Sequence, residues 1–433
     1  MNYRDAIEYI RSTAQFGARL GLEKIAKLCE LLGNPQDTPH VIHVAGTNGK
    51  GSTTAMIASV LQAAGYKVGV YASPYIEDVR DCMHINSVPI SGEELASITA
   101  QVREIALEMG KDGNHPTQFE IETAIAFQWF SQSSCEFVAL ETGLGGRLDA
   151  TNVVHKPLVT VITSISFDHM AYLGNTIEEI AAEKCGIIKL DGITVSYPLQ
   201  QESALRVIKQ FASSQKNLLR LPNLNALQDQ QFTLEGNHVG YKGLSLHIPL
   251  PGKHQVYNAV TALEAIYALR EQHGFAISDQ AIVNGIQRTI MTLRQEILCR
   301  DPLILLDGAH NRDGAQTLAD SISSNLKGRR IVTIMGMLAD KEYESSIAVI
   351  AALSERFIAV EPQSKRALPA TEAAAVASKH CSSVSTSGDY RTAFHLALTL
   401  AGEDGAIIIC GSLYLAAPMR SIVLQYKNKQ LEA

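Results

Sequence analysis

HVIHVAGTNGKGSTT, residues 40–54, is the stretch that decides how this chain folds. An apolar, β-branched run around Ile42 predicts a buried strand, and a helical pattern resumes from Ala55. Between them lie glycines, a lysine and polar side chains: Gly46, Thr47, Asn48, Gly49, Lys50, Gly51 and Ser52. This layout is typical of a phosphate-binding loop, because glycines let backbone N–H groups turn toward an anion and the lysine reaches the terminal phosphates.

The spacing of this loop departs from the common Walker pattern G-x-x-x-x-G-K-[ST]. Gly46 stands three residues before Gly49, and Gly51 separates Lys50 from Ser52. The alternative interpretation is a simple glycine turn that joins a strand to a helix. The lysine and the hydroxyl groups at the start of the helix favour the phosphate-binding interpretation.

The length and composition of the chain limit the classes of protein to which it can belong. At 433 residues it is too long for one ordinary core, so we expect two domains. A hydrophobic fraction of 46% and a charged fraction of 19% are typical of a globular protein, and a formal charge of −7 argues against nucleic-acid binding. The cysteines are scattered without a CxxC pair, and the sequence shows neither a signal-peptide pattern nor a long apolar run. These features predict a cytoplasmic protein with no membrane partner.

Strand and helix patterns alternate along the first part of the chain. Strand-like runs occupy 67–74, 137–142, 157–165 and 192–197, and helical patterns occupy 3–32, 92–109, 117–131, 176–186 and 251–269. Glycines within 16–22 interrupt the first helix, 78–91 is a loop or a short extended piece, and short extended pieces between 217 and 250 indicate a small antiparallel excursion. The alternation predicts βαβ units and a parallel sheet, in which ligands bind where the strands end.

The same alternation restarts after residues 276–300, which show the pattern of a helix and a connector. Strand-like runs follow at 303–306, 330–335, 356–360 and 406–410, with helices between them. The expected fold class is therefore α/β, with a P-loop-containing N-terminal domain (1–295) that has a mostly parallel sheet. A smaller Rossmann-like C-terminal α/β domain follows (296–433), and we expect the reaction in the cleft between the two.

Polar side chains stand where the predicted strands of the first domain end. Ser73 is at the end of the second strand, Glu141 is at the tip of the third, and His169 follows the fourth. An acidic residue at a strand tip near a phosphate loop is the Walker-B arrangement, in which the carboxylate binds Mg²⁺. A turn serine, a solvent-facing carboxylate and a core-edge histidine are the respective alternatives. Spacing alone predicts that Lys184, near the end of a helix, is a solvated surface charge or a partner of the helix dipole.

Several segments together carry a resemblance to a known family. They are HVAGTNGKGS (43–52), SP (73–74), TQFEIETAIAF (117–127), ETGLGGRLDATN (141–152), SFDH (166–169), EKCGIIK (183–189), PGKHQVYNA (251–259), DGAHN (307–311), MGMLADK (335–341) and GSLYL (411–415). The chain resembles the folylpolyglutamate synthase/dihydrofolate synthase family, within the Mur-ligase group of ATP-dependent amide ligases. The resemblance covers nearly the whole sequence.

This resemblance implies a two-step reaction. ATP would phosphorylate a carboxylate of folate or dihydropteroate, and the amino group of L-glutamate would attack the resulting acyl phosphate. By analogy the phosphate loop and Lys50 hold the phosphates, and Ser73, Glu141 and His169 match the Mg²⁺ ligands of the family. Lys184 matches a lysine that is carbamylated in this group and can then hold a second Mg²⁺. Lys50, Lys184, His169 and Glu141 would thus be the catalytic residues.

The resemblance also implies the contacts of the substrates. Asn258, Arg294 and Asp307 match nucleotide contacts, and His310 lies at the same strand tip as Asp307. Residues that match the pteroate-binding segments are Thr117, Gln118, Phe119, Glu120, Leu148, Asp149 and Ala150. Contacts from both domains imply closure of the domains on ATP. The family also predicts a monomer.

The chain departs from the family pattern in the loop after Ser73. The family has SPHL, then a phenylalanine and Glu-Arg, whereas this chain has Tyr75, Val79, Asp81 and Cys82 there, so the arginine is missing and Arg80 is a candidate replacement. Met291-Thr292-Leu293 replaces Trp-Pro-Gly ahead of Arg294, and Arg312 replaces a proline. Because the loop after Ser73 helps to form the folate site, these changes bear on the acceptor more than on the reaction.

Three other functions are alternatives to a folate ligase. A related ligase could add an amino acid to a different carboxylate, and the chain could instead be a P-loop kinase or a nucleotide-dependent binding module. Lys184 together with Glu141 and His169 favours a ligase, because a simple switch has little use for a second metal site.

Overall fold

The computed structural model describes residues 1–17, 21–75 and 78–431. The chain divides into two compact units. The first unit comprises 1–229, 239–247 and 257–289, and the second comprises 230–238, 248–256 and 290–433. The boundary between residues 295 and 296 stays a prediction.

The sheet of the first unit has the strand order β4-β3-β2-β5-β1-β6-β7-β8. Its strands are β1 (His40–Ala45), β2 (Val68–Tyr71), β3 (Met83–Ile85), β4 (Val88–Pro89), β5 (Phe137–Glu141), β6 (Val159–Ile162), β7 (Ile193–Ser196) and β8 (Leu218–Arg220). In the spatial order of the sheet, all neighbours in the series β2, β5, β1, β6, β7 and β8 are parallel. Strands β3 and β4 pair antiparallel at the edge next to β2. Strand β1, which leads into the glycine loop, therefore lies inside the sheet between β5 and β6.

Helices in the first part of the chain contribute buried apolar side chains. They are α1 (Tyr3–Ser12), α2 (Glu23–Leu31), α3 (Lys50–Ala63), α4 (Gly92–Lys111), α5 (Gln118–Gln132), α6 (Met170–Leu173), α7 (Ile177–Cys185), α8 (Glu202–Ser214), α9 (Lys253–Gln272) and α10 (Asp279–Gln287). One core cluster includes Ile10, Leu95 and Phe127. A second cluster includes Ile180 and Ile208. The capping box predicted at Thr176 and Glu179 is confirmed at the start of α7.

A small sheet of strands β9 (Leu227–Thr233), β10 (Gly236–Tyr241) and β11 (Leu244–Ile248) follows, in the order β11-β10-β9. The predicted antiparallel excursion at 217–250 therefore begins too early. Its first residues form β8, which pairs in parallel with β7 in the main sheet.

The second unit has its own sheet, with the order β12-β13-β17-β14-β15-β16. The strands are β12 (Glu296–Arg300), β13 (Leu303–Leu306), β14 (Ile331–Met335), β15 (Arg356–Val360), β16 (Val384–Ser387) and β17 (Ala406–Cys410). The helices are α11 (Arg312–Asn325), α12 (Tyr343–Ala351), α13 (Ala370–Ala377), α14 (Tyr390–Ala401) and α15 (Leu413–Leu431). All strand pairs are parallel except β12 with β13. The predicted α/β class, with one mostly parallel sheet in each part of the chain, is confirmed.

Some local predictions differ from the structure. The connector predicted within 276–300 is wrong, because 296–300 forms the edge strand β12. Strand β16 was not predicted, since its sequence VSTS is polar and its residues are only partly buried or exposed. The glycine-broken interruption at 16–22 includes residues 18–20, which lie outside the described residues. The predicted loop or extended piece at 78–91 forms a short 3₁₀ helix, Val79–Cys82, followed by β3 and β4.

Candidate active site

The strand order brings the predicted site residues of the first unit to one edge of its sheet. Strands β2, β5, β1 and β6 are consecutive neighbours. Ser73, Glu141, the glycine loop and the segment that ends in His169 each lie at or just beyond the carboxyl end of one of these strands. Ligands bind at this edge in parallel α/β sheets.

The glycine loop has a conformation that side chains would obstruct. Gly46 and Gly49 have φ values of +157° and +86°. A Cβ atom at Gly46 would overlap the Thr163 hydroxyl, and one at Gly49 would overlap the Asn258 amide. The loop is thus held close to its neighbours, and Asn258, a predicted nucleotide contact, lies beside it.

Helix α3 begins at this loop without a side-chain cap. Gly49 occupies the N-cap position and, having no side chain, cannot cap the first turn of this helix. The backbone N–H groups of Thr47 and Asn48 donate to the Ser164 carbonyl, at 2.8 and 3.2 Å. The first turn of α3 therefore keeps N–H groups that can bind an anion.

Lys50 and Glu141 form an ion pair beside this helix start. Lys50 Nζ lies 3.8 Å from Glu141 Oε1 and donates to the Thr47 carbonyl at 3.3 Å. The Glu141 residue is only 5% exposed. The pair places a cation and a carboxylate together at the end of the phosphate loop.

Mg²⁺ prefers oxygen ligands, and the chemistry of the predicted ligands fits this preference in part. Glu141 and Ser73 supply oxygen at adjacent strand ends, whereas His169 supplies nitrogen and its side chain is 37% exposed. His169 Nε2 lies 3.8 Å from Asp168 Oδ2. Within residues 1–17, 21–75 and 78–431, no three His, Cys, Asp or Glu side chains are grouped so that they could hold a metal ion without other ligands. The oxygen donors at the strand ends fit Mg²⁺. The ligand set that the family resemblance implies includes the Ser73 hydroxyl and, in addition, a carbamylated Lys184.

Lys184 is buried, so the surface charge predicted from spacing is wrong. It is 4% exposed, and its Nζ donates to the Gly46 carbonyl at 2.7 Å. Burial lowers its pKa to about 7, and the positive charge of Lys50 acts in the same direction. Lys184 therefore lies directly against the phosphate loop.

The glycine-rich segment after β5 packs against the end of α7 and fixes Lys184. A Cβ atom at Gly146 would lie 2.7 Å from the Lys184 carbonyl oxygen. The Arg147 N–H donates to the Glu183 carbonyl at 2.7 Å, and the two side chains form an ion pair at 2.8 Å. Asn152 Nδ2 donates to the carbonyls of Arg147 and Gly186.

The predicted acceptor-binding residues lie around the start of α5 and in this glycine-rich segment. The two segments touch, since a Cβ atom at Gly143 would overlap the Phe119 ring. The Glu120 carboxylate accepts hydrogen bonds from the backbone N–H and the hydroxyl of Thr117, at 2.7 and 2.8 Å. Asp149 accepts from the Leu144 N–H and from Thr151, and burial raises its pKa. Leu148 is partly exposed and Ala150 is buried. Both carboxylates therefore stabilise local structure, and contact with the acceptor stays a prediction for this group.

The predicted nucleotide contacts of the second unit lie together at the end of β13. Asp307 accepts hydrogen bonds from the N–H groups of Gln295 and Ala309, and burial raises its pKa. A Cβ atom at Gly308 would lie 2.6 Å from Arg294 Nη1, and His310 Nδ1 lies 3.0 Å from the Gly308 carbonyl.

Arg80, the candidate replacement for the missing arginine of the loop, is engaged by neighbouring side chains. It forms an ion pair with Asp78 at 3.1 Å, and its guanidinium carbon lies 4.9 Å from the centre of the Tyr3 ring. The Tyr3 hydroxyl also donates to Asp78. Residues 76 and 77 of this loop lie outside the described residues.

Comparisons with known proteins identify the family. Residues 44–266 match the Mur ligase middle domain, and residues 291–413 match the glutamate ligase domain of Mur ligases. The dihydrofolate synthase/folylpolyglutamate synthase of Bacillus subtilis is 37% identical over 432 residues, which cover 96% of this chain and 98% of that protein. This chain belongs to the folylpolyglutamate synthase/dihydrofolate synthase family.

Solved structures of the same family share the fold. The folylpolyglutamate synthase of Mycobacterium tuberculosis in complex with ADP has a TM-score of 0.90 and 27% identity, and the match covers 98% of this chain and 99% of that one. The Escherichia coli protein in complex with DHPP and ADP has a TM-score of 0.86 and 27% identity, with 99% of both chains covered. As a member of this family the chain is an ATP-dependent amide-forming ligase, and a kinase or a binding module does not account for a glutamate ligase domain. In the described part of the chain no helix is long and apolar enough to cross a membrane.

Two further acidic residues of the first unit, Asp168 and Glu122, are buried and were not among the predicted site residues. The Asp168 side chain is 8% exposed, and its charge raises the pKa of Lys184 against the effect of burial, so it lies near the amine. The signal in the sequence that could have identified Asp168 was its position next to His169 in the SFDH motif. Glu122 is 6% exposed inside α5, within the segment 117–127 that carries part of the family resemblance.

Proposed function

We propose that this chain ligates L-glutamate to the carboxylate of a folate, of dihydropteroate, or of both, at the expense of ATP. The observation that carries the proposal is the arrangement at the phosphate loop. The uncapped start of α3, the Lys50–Glu141 pair and the buried Lys184 all adjoin the same glycine loop. The family to which the chain belongs supports the identity of the two substrates that are joined.

The first step transfers a phosphoryl group. An oxygen of the acceptor carboxylate attacks the γ-phosphorus of ATP, the bond to the bridging oxygen breaks, and ADP leaves. The backbone of 46–52 and the Lys50 ammonium stabilise the phosphate charge, which would otherwise repel an anionic nucleophile. Asn258, Arg294, Asp307 and His310 are the proposed nucleotide contacts.

The second step forms the amide. The neutral amine of L-glutamate attacks the carbonyl carbon of the acyl phosphate, and the tetrahedral intermediate expels phosphate as the amine loses its proton. Glu141, with Ser73 and His169, would hold Mg²⁺, and a carbamylated Lys184 would hold a second ion. Bound there, Mg²⁺ supplies positive charge to the phosphate oxygens. Thr117 to Glu120 and Leu148 to Ala150 are the proposed contacts of the acceptor.

A related ligase with a different acceptor is the second candidate. The observation that favours it is the loop at 75–82, in which Arg80 is engaged by Asp78 and Tyr3. A monomer, a cytoplasmic location and the absence of nucleic-acid or membrane partners are part of the proposal and rest on the sequence.

Phosphate release from MgATP tests the proposal. Release should require both L-glutamate and either dihydropteroate or tetrahydrofolate, and mass spectrometry should detect a product heavier by one glutamyl residue. Release with neither pterin, but with another carboxylate, would support the second candidate. Release that depends on no amino acid would contradict both.

A further inference from the structure

The backbone on either side of Arg294 has an unusual conformation. Leu293 and Gln295 have φ values of +59° and +48°, in the left-handed region that residues other than glycine rarely adopt. Both residues are buried. Such a conformation persists only where the surrounding contacts enforce it, and it occurs more often at functional sites than elsewhere. Contacts around Arg294 must therefore hold this segment in place.

The Glu296 side chain fixes the conformation of Leu293. Its Oε2 accepts a hydrogen bond from the Leu293 N–H at 3.1 Å. The Leu293 carbonyl in turn accepts hydrogen bonds from the Gly308 N–H at 2.8 Å and from Arg294 Nη1 at 3.4 Å. Through the backbone of Leu293, Glu296 thus holds the carbonyl against which the Arg294 guanidinium lies.

Arg420, on helix α15, in turn holds the Glu296 carboxylate. Its Nε donates to both carboxylate oxygens, at 2.9 and 3.0 Å, and its Nη2 donates to Oε1 at 2.8 Å. Both side chains are partly buried, and a bidentate pair of this kind fixes the orientation of the carboxylate as well as its distance. Leu413, seven residues earlier on the same face of α15, lies so close to Gly308 that a Cβ atom there would be 2.5 Å from Leu413 Cδ2. Helix α15 therefore supports the Arg294 segment at two points.

Gln295, on the other side of Arg294, is held by a separate set of contacts. Its N–H donates to Asp307 Oδ2 at 2.9 Å, and its side-chain oxygen accepts a hydrogen bond from the Ser321 hydroxyl at 2.6 Å. Burial raises the pKa of Asp307, and the positive charge of Arg294 opposes this effect, so the guanidinium is near the carboxyl group. The two proposed nucleotide contacts, Arg294 and Asp307, are thus fixed relative to each other.

We propose that Glu296 and Arg420 are positioning residues that hold Arg294 in the conformation in which it binds the nucleotide. An arginine that is held in advance loses less conformational freedom on binding, so the affinity for the nucleotide rises. Neither Glu296 nor Arg420 touches the nucleotide in this proposal, and both act through Arg294. The inference rests on the proposed function, because that function makes Arg294 a nucleotide contact.

A double-mutant cycle on nucleotide affinity tests the inference. The equilibrium Kd of MgAMPPCP, an analogue of MgATP that cannot transfer its terminal phosphate, is measured for the wild type, Arg420→Met, Arg294→Ala and the double variant. Arg294→Ala should weaken binding by about tenfold or more, and Arg420→Met by about fivefold. In the Arg294→Ala background, Arg420→Met should change the Kd by less than about twofold, because the residue through which it acts is gone.

Two further variants separate positioning from a general role in stability. Glu296→Gln breaks the same chain of contacts at its other end, so it should show the same coupling to Arg294→Ala, and it completes the cycle if Arg420→Met does not fold. Arg420→Lys keeps the charge but not the bidentate geometry, and its Kd should lie between those of the wild type and Arg420→Met.

Arg330→Met is the matched control, because it breaks a different ion pair of the second unit, with Glu355 at the amino end of β14. Its Kd should equal that of the wild type, and a loss as large as that of Arg420→Met would overturn the inference. A fivefold effect of Arg420→Met in both backgrounds, or wild-type affinity in Arg294→Ala, would overturn it as well. The predicted coupling in a protein that ligates nothing overturns the proposed function alone, whereas additive effects in an active ligase overturn this inference alone.

Discussion

At the scale of single residues, Lys184 shows how burial changes the chemistry of an ordinary side chain. Its amine is enclosed against the Gly46 carbonyl and close to Lys50, so a free ammonium there is disfavoured by both desolvation and like charge. Conversion to a carbamate would replace the cation by an anion at a place where phosphates and Mg²⁺ are expected. The modification therefore suits the position electrostatically.

Lys184→Ala should reduce ligase turnover by at least about a hundredfold, because it removes the charged group that the proposal places next to the phosphate loop. Phosphate release measures this, and added bicarbonate should not restore it because alanine cannot be carbamylated. Lys209→Ala, an exposed lysine on α8, is the control and should retain wild-type activity. Full turnover in Lys184→Ala would exclude the carbamate.

The burial of Glu122 leads to a second prediction, which concerns the dependence of stability on pH. Burial raises the pKa of its carboxyl group from 4.5 to about 7. Between these values the folded protein keeps a proton that the unfolded chain has lost, so stability falls as the pH rises through this range. The loss of folding free energy caused by ionisation of Glu122 is absent below pH 4.5 and complete above pH 7. It amounts to about 3 kcal/mol.

Glu122→Gln removes this ionisation and should therefore raise the free energy of unfolding at pH 8 by up to about 3 kcal/mol, with little change at pH 4.5. Urea denaturation at the two pH values measures the difference. Glu104→Gln, which changes an exposed glutamate on α4, should show no such pH dependence. If the difference in unfolding free energy between Glu122→Gln and the wild type is the same at both pH values, the carboxyl is not buried as described.

At the scale of elements, the glycine-rich segment after β5 and helix α7 act as one unit. Gly146 contacts the backbone of Glu183 and Lys184 too closely for any side chain, and Asn152 bridges the two elements. Hydrogen bonds and an ion pair between Arg147 and Glu183 add to this contact. The position of Lys184 thus depends on a segment that precedes it by more than thirty residues.

Gly146→Ala should destabilise the protein by about 1–3 kcal/mol, since the new methyl group would press on backbone atoms that cannot rotate away. It should also lower turnover by about tenfold or more, because displacement of the end of α7 moves Lys184. Gly388→Ala, where nothing lies within 4 Å of the added atom, is the matched control. Thermal unfolding and phosphate release measure the two effects, and wild-type values for both in Gly146→Ala would contradict the coupling.

Elements with a strong local signal were predictable, and those without one were not. The strands that flank the glycine loop are mostly apolar, and their order along the chain sufficed to place Ser73 and Glu141 at one sheet edge. Strand β16 has a polar sequence and β12 follows a helix–connector pattern, so both depend on their neighbours in the sheet for their structure. β-Propensity is strongly dependent on such context.

At the scale of the whole molecule, the features that could not be predicted depend on contacts between residues that are distant in sequence. Lys184 and Gly46 are 138 positions apart, and their hydrogen bond reverses the interpretation of that lysine as a surface charge. Glu122, on α5, is buried beside side chains of α1 and of the loop after β2, so its burial also depends on segments that are distant in sequence. The family resemblance supplied the predicted roles, whereas the structure supplied the burial and the partners.

The burial of the cysteines leads to a prediction about how nucleotide binding stabilises the whole chain. All seven are free thiols, and only Cys299 is partly exposed, whereas the others are buried in the cores. Under native conditions a thiol reagent should label Cys299 within minutes and the other six only as the protein opens. MgATP at a hundred times its Kd should slow labelling of the buried thiols by up to about a hundredfold, because it stabilises the folded state alone. Cys299 should be unaffected and serves as the internal control, with mass spectrometry of the labelled peptides as the measurement. Equal rates for buried thiols with and without MgATP would show that nucleotide binding is not coupled to the stability of the fold.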